Sequence, residues 1–278
     1  MKVLWSFGLS ALTTTYNLSN GQYGLFEIRY AGTAAVGVTV TLANCGNVIL
    51  NVKGSDIVNV DVDLLSQLAD QYGGFIEASS AIGAAFAFSI FYKPGYWYDD
   101  NNIFDSSPGD QTYFKLDYPA MTNAVIANGN VTIYGKPRIG VQGYYHKILS
   151  HAVVSGGATT SLTDTIQEPN IIALYLKNPT ALTSQMQLTK DNKIYADGDT
   201  VSELVYSNWI HRLESASTLL AFEFAESGNV QESRSNTLTY KYTTTGAGTL
   251  AQYYSAIMFS PEKLAQSANN AKVLLSQK

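Results

Sequence analysis

The sequence predicts an all-β protein built from two similar antiparallel β domains in tandem. Three observations predict this fold class. Apolar and polar residues alternate with a period of two along most of the chain, the order of elements in the first half recurs in the second, and helical periodicity is confined to short segments. A period of two is typical of strands, because successive side chains of a strand point to opposite faces of a sheet.

In the first half, strands are predicted where this alternation is bounded by turn-forming residues. One short helix is predicted at Val58–Asp70, because its apolar residues recur at three- and four-residue steps and share one face. These apolar residues are Val60, Leu64, Leu65 and Leu68. The predicted strands are Leu25–Tyr30, Val36–Leu42, Val48–Val52, Ala84–Tyr92, Tyr113–Tyr118 and Val131–Tyr134.

The second half repeats the order of strand, hairpin, helix and three further strands. A turn at Asp191 and Asn192 closes the predicted hairpin, and Thr200–His211 is the predicted helix. The loop Lys93–Gln111 is then an insertion in the first domain, since loops tolerate insertions at little cost. The predicted strands of this half are Ile171–Lys177, Gln185–Thr189, Ile194–Tyr195, Leu219–Phe224, Thr237–Tyr242 and Ala251–Phe259.

The two ends of the chain have apolar patterns of their own. Met1–Leu12 is apolar with a single Lys, but no small-x-small cleavage site of a signal peptide follows it, so we expect residues 1–23 to be an N-terminal arm that docks on a neighbour. Ser260 as N-cap and Pro261 at the first helical position begin a predicted docking helix over residues 261–278. No stretch reaches the ~18 uninterrupted apolar residues of a membrane-spanning helix.

A candidate link between the domains is Tyr144–Glu168, which is rich in Gly, Ser and Thr. We therefore divide the chain into an N-terminal arm, a first domain, a second domain and a C-terminal helix. The boundaries are 1–23, 24–150, 151–260 and 261–278.

The composition points to a surface that is polar but weakly charged. Charged residues make up 14% of the chain, well below the roughly 25% of ordinary soluble domains, whereas Tyr is frequent at 19 residues. Burying such a surface costs less than burying Lys or Glu, which favours a protein that packs against copies of itself. The formal charge of -5 and the absence of a basic run argue against a nucleic-acid partner. Cys45 is the only cysteine, so an intrachain disulfide is excluded.

No residues are assigned to a catalytic, cofactor-binding or metal site. The three histidines His146, His151 and His211 lack the four-residue spacing of ligands on one helical face, and we expect them to be structural. Gly246, Gly248 and Ala251 match a dinucleotide-binding pattern but lie between two predicted strands with no helix to follow them. We therefore reject a nucleotide site.

Two acidic groups are also interpreted as structural. The loop that contains Asp99, Asp100, Asp105 and Asp110 has no EF-hand spacing, so we expect a solvated loop in preference to a calcium site. Asp197 and Asp199 flank Gly198, which we interpret as a hairpin turn. A carboxylate pair for glycoside hydrolysis forms only in space, and nothing in the sequence marks one.

The aromatic run Tyr96–Tyr98 precedes the acidic loop and has two interpretations. It could stack on a sugar, since aromatic faces accommodate sugars well, or it could be buried against another domain or subunit. We favour burial, because the loop offers no other set of residues to orient a ligand.

The opening strands resemble those of a known family. In the first half, the order of elements and the placement of turns match this family in the strand LFEIRYAGT, the strand pair VTVTLANCGNVILNVKGSDI and the helix that follows. The second half repeats this unit in PNIIALYLKNPT, MQLTKDNKIYADGD, the helix around Trp209 and LLAFEFAESG. Over most of its length the chain therefore resembles the double jelly-roll major capsid proteins of tailless icosahedral bacteriophages that contain an internal membrane. The resemblance rests on order and turns, without an invariant motif.

The resemblance implies two tandem jelly-roll β-barrels with short helices, at 24–150 and 151–260, and a C-terminal helix. It also implies a homotrimer whose six barrels form a pseudo-hexagonal capsomer of the virion, and no enzymatic activity or cofactor. The implied partners are neighbouring capsomers, minor capsid or membrane proteins and an internal viral membrane, with no direct nucleic-acid contact. The alternative is a secreted tandem β-sandwich adhesin or carbohydrate-binding protein, which shares the Tyr, Thr and Asn usage and would use Tyr96–Tyr98 on a sugar.

Overall fold

The computed structural model describes residues 1–9, 12–73, 80–82, 85–95, 102–106, 111–140, 142–204, 219–224 and 237–259. It divides into two compact units. The first unit is Met1–His146 together with the segment that begins at Met258, and the second unit is Lys147–Ile257. The chain passes from one unit to the other within a single strand, Tyr144–Ser150.

Among its described residues, the first unit contains two antiparallel sheets and one α-helix. Its strands are β1 (Lys2–Gly8), β2 (Thr13–Asn17), β3 (Gly21–Ala34), β4 (Asn47–Val52), β5 (Ser55–Asp61), β6 (Ser80–Ile82), β7 (Ala85–Tyr92), β8 (Phe104–Ser106), β9 (Thr112–Asp117) and β10 (Ile126–Pro137). One sheet has the order β1-β10-β3-β7-β6, with β8 also on β3, and the other includes β5-β4-β9-β2. The helix α1 (Val62–Gly73) follows β5.

The second unit has the same strand order in shorter form. Its strands are β11 (Tyr144–Ser150), β12 (Val153–Gly156), β13 (Thr159–Gln167), β14 (Ile171–Lys177), β15 (Thr183–Lys190), β16 (Lys193–Thr200), β17 (Leu219–Glu223), β18 (Thr237–Thr244) and β19 (Ala247–Phe259). One sheet includes β17-β14-β19-β11, with β12 also on β19, and the other is β16-β15-β18-β13. The sequence β19-β14-β17 corresponds to β10-β3-β7, and β16-β15-β18-β13 corresponds to β5-β4-β9-β2. Each unit is thus a two-sheet sandwich of the same topology.

Aromatic and aliphatic side chains fill the space between the sheets of each unit. In the first unit Phe26 contacts Phe114 from the facing sheet, with ring centres 5.1 Å apart. In the second unit Leu174 and Leu176 of β14 pack with Met186 and Leu188 of β15, all fully buried. The alternation that predicted these strands therefore records which face of each strand is buried.

Most of the predicted strands are confirmed, and so is the predicted turn. Ile171–Lys177 has the predicted bounds, and most of the other confirmed strands extend further at one or both ends, whereas β9 and β17 end one residue before the predicted Tyr118 and Phe224. Asp191 and Asn192 both have positive φ, 48° and 67°, as a two-residue hairpin turn requires.

The strand predicted at Val36–Leu42 is wrong. A turn begins at Ala35, whose carbonyl accepts from the Val38 amide, and Gly37 has φ of 75°. Thr41 then caps a 3-10 helix at Leu42–Cys45 through reciprocal hydrogen bonds with Asn44. Apolar and polar residues alternate here, but the backbone hydrogen-bonds turn and capping residues that are close in sequence in place of a neighbouring strand.

The first helix begins four residues later than predicted. Residues 58–61 belong to β5, which pairs with β4, and the Asp61 carboxylate accepts from the Leu64 amide at 2.6 Å as the N-cap of α1. Leu64, Leu65 and Leu68 are fully buried as expected. The apolar pattern of the strand continues into that of the helix, so periodicity alone misplaces the boundary.

The second predicted helix begins in the expected place. Thr200 and Glu203 form a capping box, with hydrogen bonds from the Glu203 amide to Thr200 and from the Thr200 amide to Glu203, and residues 201–204 are helical. The remainder of this helix and the predicted helix 261–278 lie outside the described residues.

Two turn-rich segments are strands in the structure. Tyr144–Glu168, predicted as a link, contains β11, β12 and β13. Asp197 and Asp199, predicted as a hairpin turn, lie inside β16, where Met186 pairs with Asp199 and Gln187 with Asp197. Gly198, with φ of 80°, is the extra residue of a β-bulge. Local composition identified the irregular backbone at Gly198 but not that β16 continues through it along β15.

The segment predicted as an N-terminal arm supplies outer strands of both sheets of the first unit. β1 pairs with β10 and β2 pairs with β9. The expectation of an arm that docks on a neighbour is corrected for Lys2–Gly8 and Thr13–Asn17. An apolar strand can pair with a strand of its own unit or dock on a neighbouring subunit, and the sequence pattern does not distinguish these two partners.

Candidate assembly surfaces

The residues singled out as candidate sites are dispersed. His146 belongs to the first unit, where it is fully buried and hydrogen-bonds the backbone of Lys93 and Gly95. Burial lowers the pKa of His146 to about 3, so its ring is neutral near pH 7. The interpretation of His146 as a structural histidine stays a prediction, and His211 lies outside the described residues.

The acidic and aromatic loop is only partly described. The Asp105 carboxylate accepts a hydrogen bond from the side-chain Nε2 of Gln22 at 3.0 Å, which links β8 to β3. Asp99, Asp100, Asp110 and Tyr96–Tyr98 lie outside the described residues. Within the part of the chain that the structure describes, no group of three or more His, Cys, Asp or Glu residues is placed to hold a metal ion.

The rejected glycine pattern lies at the beginning of β19. Gly248 meets the side chain of Leu182 and has φ of 156°, and β12 pairs with this stretch. A dinucleotide pyrophosphate binds at the N-terminus of a helix that follows the glycines, whereas here Gly248 lies in a strand that pairs with β12. The rejection of a nucleotide site stays an interpretation based on this context.

Stacked aromatic rings close the edge of the first unit between β1 and β2. Trp5 of β1 lies 5.5 Å from Tyr16 of β2, with an angle of 18° between the rings, and 5.3 Å from Phe7. Trp5 and Phe7 pair with Ile133 and Val131, whose side chains point into the core. This cluster therefore joins the outer strands of the two sheets, but Phe7 remains 37% exposed.

A polar network closes the corresponding edge of the second unit. Nε2 of His151, between β11 and β12, lies 3.0 Å from Oδ2 of Asp164 on β13, and the Tyr240 hydroxyl of β18 donates to the same oxygen at 2.9 Å. Burial opposes ionisation of Asp164, but hydrogen bonds from the Thr165 amide, His151 and Tyr240 outweigh it and hold its pKa below the ordinary value.

The network continues into the sheet that contains β19. The backbone carbonyl of Gln252 accepts from the His151 amide, and the side-chain carbonyl of Gln252 accepts from the fully buried Tyr242 hydroxyl. Desolvation by burial is the main cause that raises the pKa of Tyr242 well above its ordinary value, so Tyr242 stays a neutral donor. The edge of the second unit is thus held by hydrogen bonds in place of stacked rings.

The outward face of the β15-β18-β13 sheet carries few charged groups and is rich in hydroxyl groups. On β18 the inward residues Leu238, Tyr240 and Tyr242 are buried, so the intervening side chains point outward. These outward side chains are Thr237, Thr239, Lys241 and Thr243, and their neighbours on β13 and β15 include Thr163, Thr165, Gln185 and Gln187.

A depression of about 140 Å³ lies on this outward face. It is lined by the polar side chains of Gln185, Gln187, Lys241 and Thr243, with Met186 and Gly198, and this lining includes no aromatic ring. A sugar would find no stacking surface here, which is the element that carbohydrate sites of this kind rely on.

An arginine is fixed on the outward face of the first unit's β3. Nε and Nη2 of Arg29 donate to Oε1 of the buried Glu27 at 3.0 and 2.7 Å, and the Ser89 hydroxyl donates to the same oxygen at 2.8 Å. The Arg29 guanidinium carbon lies 5.0 Å from the centre of the Tyr134 ring. The hydrogen bond with Glu27 is the main cause that raises the pKa of Arg29 above its ordinary value.

Solved structures resemble the whole chain rather than one unit of it. The major capsid protein of bacteriophage PM2 matches with a TM-score of 0.63 at 14% identity, over 94% of this chain and 96% of that chain. The major capsid protein of Sulfolobus Turreted Icosahedral Virus matches with a TM-score of 0.66 at 11% identity, over 93% and 96%. A chain of the PBCV-1 virus capsid matches with a TM-score of 0.59 at 9% identity, over 92% of each.

The chain is a double jelly roll. The fold predicted from the resemblance is confirmed, since the chain is mostly β and these double jelly-roll proteins match it over nearly their whole length. No protein-family model matches the chain, and no curated protein matches it by sequence. In the part of the double jelly roll that is described, no helix is long and apolar enough to cross a membrane.

Sequence reasoning did not identify the candidate surfaces of this double jelly roll, because none of them forms a local motif. Arg29 and Glu27 are close in sequence, and their i to i+2 spacing on a predicted strand is a signal that could have placed them on one face. Tyr134 and Ser89 come from distant strands, so only the pairing of β10 and β7 with β3 brings them to Arg29.

Proposed function

We propose that the chain is a major capsid protein, a structural subunit of a virion without enzymatic activity. The observation that carries this proposal is the match of both jelly rolls in tandem to viral capsid chains, over 94% of this chain and 96% of the major capsid protein of bacteriophage PM2. Because one fold can serve several functions, features of this chain's own surface add support beyond the shared fold.

The surfaces of the second unit are suited to burial against other subunits. A capsid subunit loses much of its outward surface on assembly, and the face around Thr239 and Thr243 carries hydroxyl and amide groups whose desolvation costs less than that of charged groups. The first unit exposes apolar side chains at its β1 edge, including Val3 and Phe7. Exposed apolar edges are a hazard for a free strand and are useful in an assembly.

The finer proposal is a homotrimer whose six jelly rolls form a pseudo-hexameric capsomer, in an icosahedral shell around an internal membrane. Its partners are neighbouring capsomers, minor capsid or membrane proteins and the membrane itself, without direct nucleic-acid contact. The net charge of -5 supports the last point, because contact with a genome favours clustered cations. The adhesin hypothesis gains no support from these matches or from the depression on the second unit.

The first experiment is the native mass of the purified chain by light scattering over a range of concentrations. A trimer supports the capsomer, and electron microscopy of shells or hexagonal plates then tests the capsid. A monomer at every concentration contradicts the proposal. The internal membrane is tested separately by lipid analysis and buoyant density of assembled particles, since a particle without lipid would contradict that part alone.

A further inference from the structure

The outermost strand of one sheet in the first unit has a free side. β1 pairs with β10, and no further strand lies beyond it among the residues that the structure describes. An edge strand presents unpaired amides and carbonyls, which proteins usually shield with charges, with bulges or by making the strand short. β1 has seven residues, one charged side chain, Lys2, and a bulge between Val3 and Trp5 near its beginning. It also exposes the apolar side chains of Val3 and Phe7, so this edge is suited to binding another strand.

The corresponding strand of the second unit has a neighbour on that side. β11 lies beside β19 as β1 lies beside β10, and β19-β14-β17 corresponds to β10-β3-β7. On its other side β11 pairs with β5, and residues 144–146 of β11 belong to the first unit, as β5 does. The chain thus contains one example in which an edge of this kind is paired with the second strand of a hairpin.

The counterpart of β5 in the second unit is β16. Each is the second strand of a hairpin, and each ends at the N-cap of the following helix, Asp61 or Thr200. β16 is the outermost strand of its sheet, with no strand beyond it in the described part of the second unit. Its Ile194 side chain is 60% exposed although it is large and apolar. β1 and β16 are therefore two free edges whose counterparts, β11 and β5, pair with each other.

The charges of the two edges favour contact between them over contact of each with its own kind. β16 carries the exposed carboxylates Asp197 and Asp199 besides Lys193, whereas β1 carries Lys2 and no acidic side chain. Two β16 edges side by side would bring like charges together, which destabilises a strand pair. Asp199 accepts from the Asp197 amide at 3.1 Å and so covers the edge at the bulge. Residues 194–196, before the bulge, are the part of β16 that is open to a partner strand.

We propose that β1 of one copy pairs edge to edge with β16 of a second copy, as β11 pairs with β5 within the chain. This is the addition of a strand at a sheet edge, in which main-chain hydrogen bonds supply the affinity. It also removes the exposed apolar side chains of both edges from water, Val3 and Phe7 on β1 and Ile194 on β16.

This contact joins the first unit of one copy to the second unit of the next. It is heterologous, because two different surfaces meet, and such contacts close into a ring when the rotation between copies allows it. Three identical contacts then give a ring in which first and second units alternate. The inference rests on the proposed function and names the surface that holds the trimer together.

The first test replaces the exposed apolar residue of β16. Ile194→Lys places a charge in the proposed contact, on a side chain that is open to water in the free subunit. We expect it to raise the dissociation constant of the trimer by roughly tenfold or more, measured by light scattering on dilution, because the ammonium must lose water on assembly. The matched control is Val154→Lys, which replaces a 70% exposed apolar residue of β12 in the same unit and should leave the dissociation constant unchanged. Circular dichroism and thermal unfolding establish that both variants fold.

The second test identifies the two strands by disulfide trapping. One protein carries Val3→Cys or Ser6→Cys, the other carries Ile194→Cys or Asp197→Cys, and the two are mixed with an oxidant. Facing residues of paired strands lie about 4.5–5.5 Å apart between Cα atoms, which is within the separation that a disulfide requires. We expect a covalent dimer in at least one mixture and none in either protein alone, since the native thiol of Cys45 is buried.

Either test can overturn the inference while leaving the capsid proposal intact. A trimer that Ile194→Lys does not weaken, or that forms no mixed disulfide in any mixture, would do so. This result is expected if residues 260–278 of the same chain cover β1 in place of a second copy. Disulfides that join two β1 strands or two β16 strands would also overturn it, and a wild-type chain that is always monomeric overturns both proposals.

Discussion

The two jelly rolls close the same edge with different chemistry. In the first unit Trp5 stacks on Tyr16 between β1 and β2, whereas in the second unit His151 and Tyr240 hydrogen-bond Asp164. Stacked rings are held by apolar burial, which acid does not remove, and the polar network depends on an ionised carboxylate. The same topology is therefore stabilised at this edge by two different kinds of contact. The stability of the two units should respond differently to substitution and to pH.

The largest expected effect is on the aromatic cluster. Trp5→Ala should destabilise the first unit by about 2–3 kcal/mol, below the usual cost for a core Trp because Trp5 is only partly buried. Hydrogen exchange with mass spectrometry should show faster exchange in β1 and β2 and unchanged protection in β13 and β18. Val3→Ala, on the same strand but 55% exposed, is the control and should cost under about 0.5 kcal/mol.

A smaller effect is expected in the second unit. Asp164→Asn keeps the shape of the side chain but removes its charge, and should destabilise this unit by about 1 kcal/mol, because hydrogen bonds to a charged group are lost at a site that is partly open to water. Local hydrogen exchange in β13 and β18 measures it. Asp191→Asn in the hairpin turn, where Asn also tolerates positive φ, should change nothing; equal losses in both variants would mean that the network does not stabilise the unit.

The pH dependence of the second unit should follow the same carboxylate. The pKa of Asp164 is lowered in the folded state, so its contribution to stability is present above the ordinary value of 3.8 and is lost as pH falls through the lower folded value. Thermal unfolding at about pH 6, 4 and 3 should show the wild type losing part of this stabilisation at the lowest pH. Asp164→Asn should lose less over the same range, and identical slopes for both proteins would contradict the assignment.

The smallest effect is the absence of a titration. Burial lowers the pKa of His146 to about 3, so its ring should stay neutral between about pH 5 and 8. Proton NMR of the ring resonances, assigned with His146→Gln, should show no shift for His146 in this range. A titration of His146 near pH 6 would show that this part of the first unit is open to water.

Local sequence determined the elements of this protein. The period-two pattern placed β14 at its observed bounds, Asp191 and Asn192 marked the hairpin turn, and Thr200 with Glu203 marked the beginning of a helix. Each of these signals lies within a few residues, because turn chemistry, capping and the alternation of faces are local properties of the backbone. Repetition of the same order in both halves then sufficed to predict two tandem domains.

Tertiary structure decided which strands meet and what their side chains do there. Val36–Leu42 alternates but finds no place in a sheet, whereas β1 and β2, which were predicted as an arm, pair with β10 and β9. Arg29 meets Ser89 and Tyr134, and His151 meets Asp164, only after distant strands come into register. Alternation specifies that one face of a strand is buried but not which strand lies beside it, because pairing partners depend on the hydrogen bonds and packing of the whole sheet.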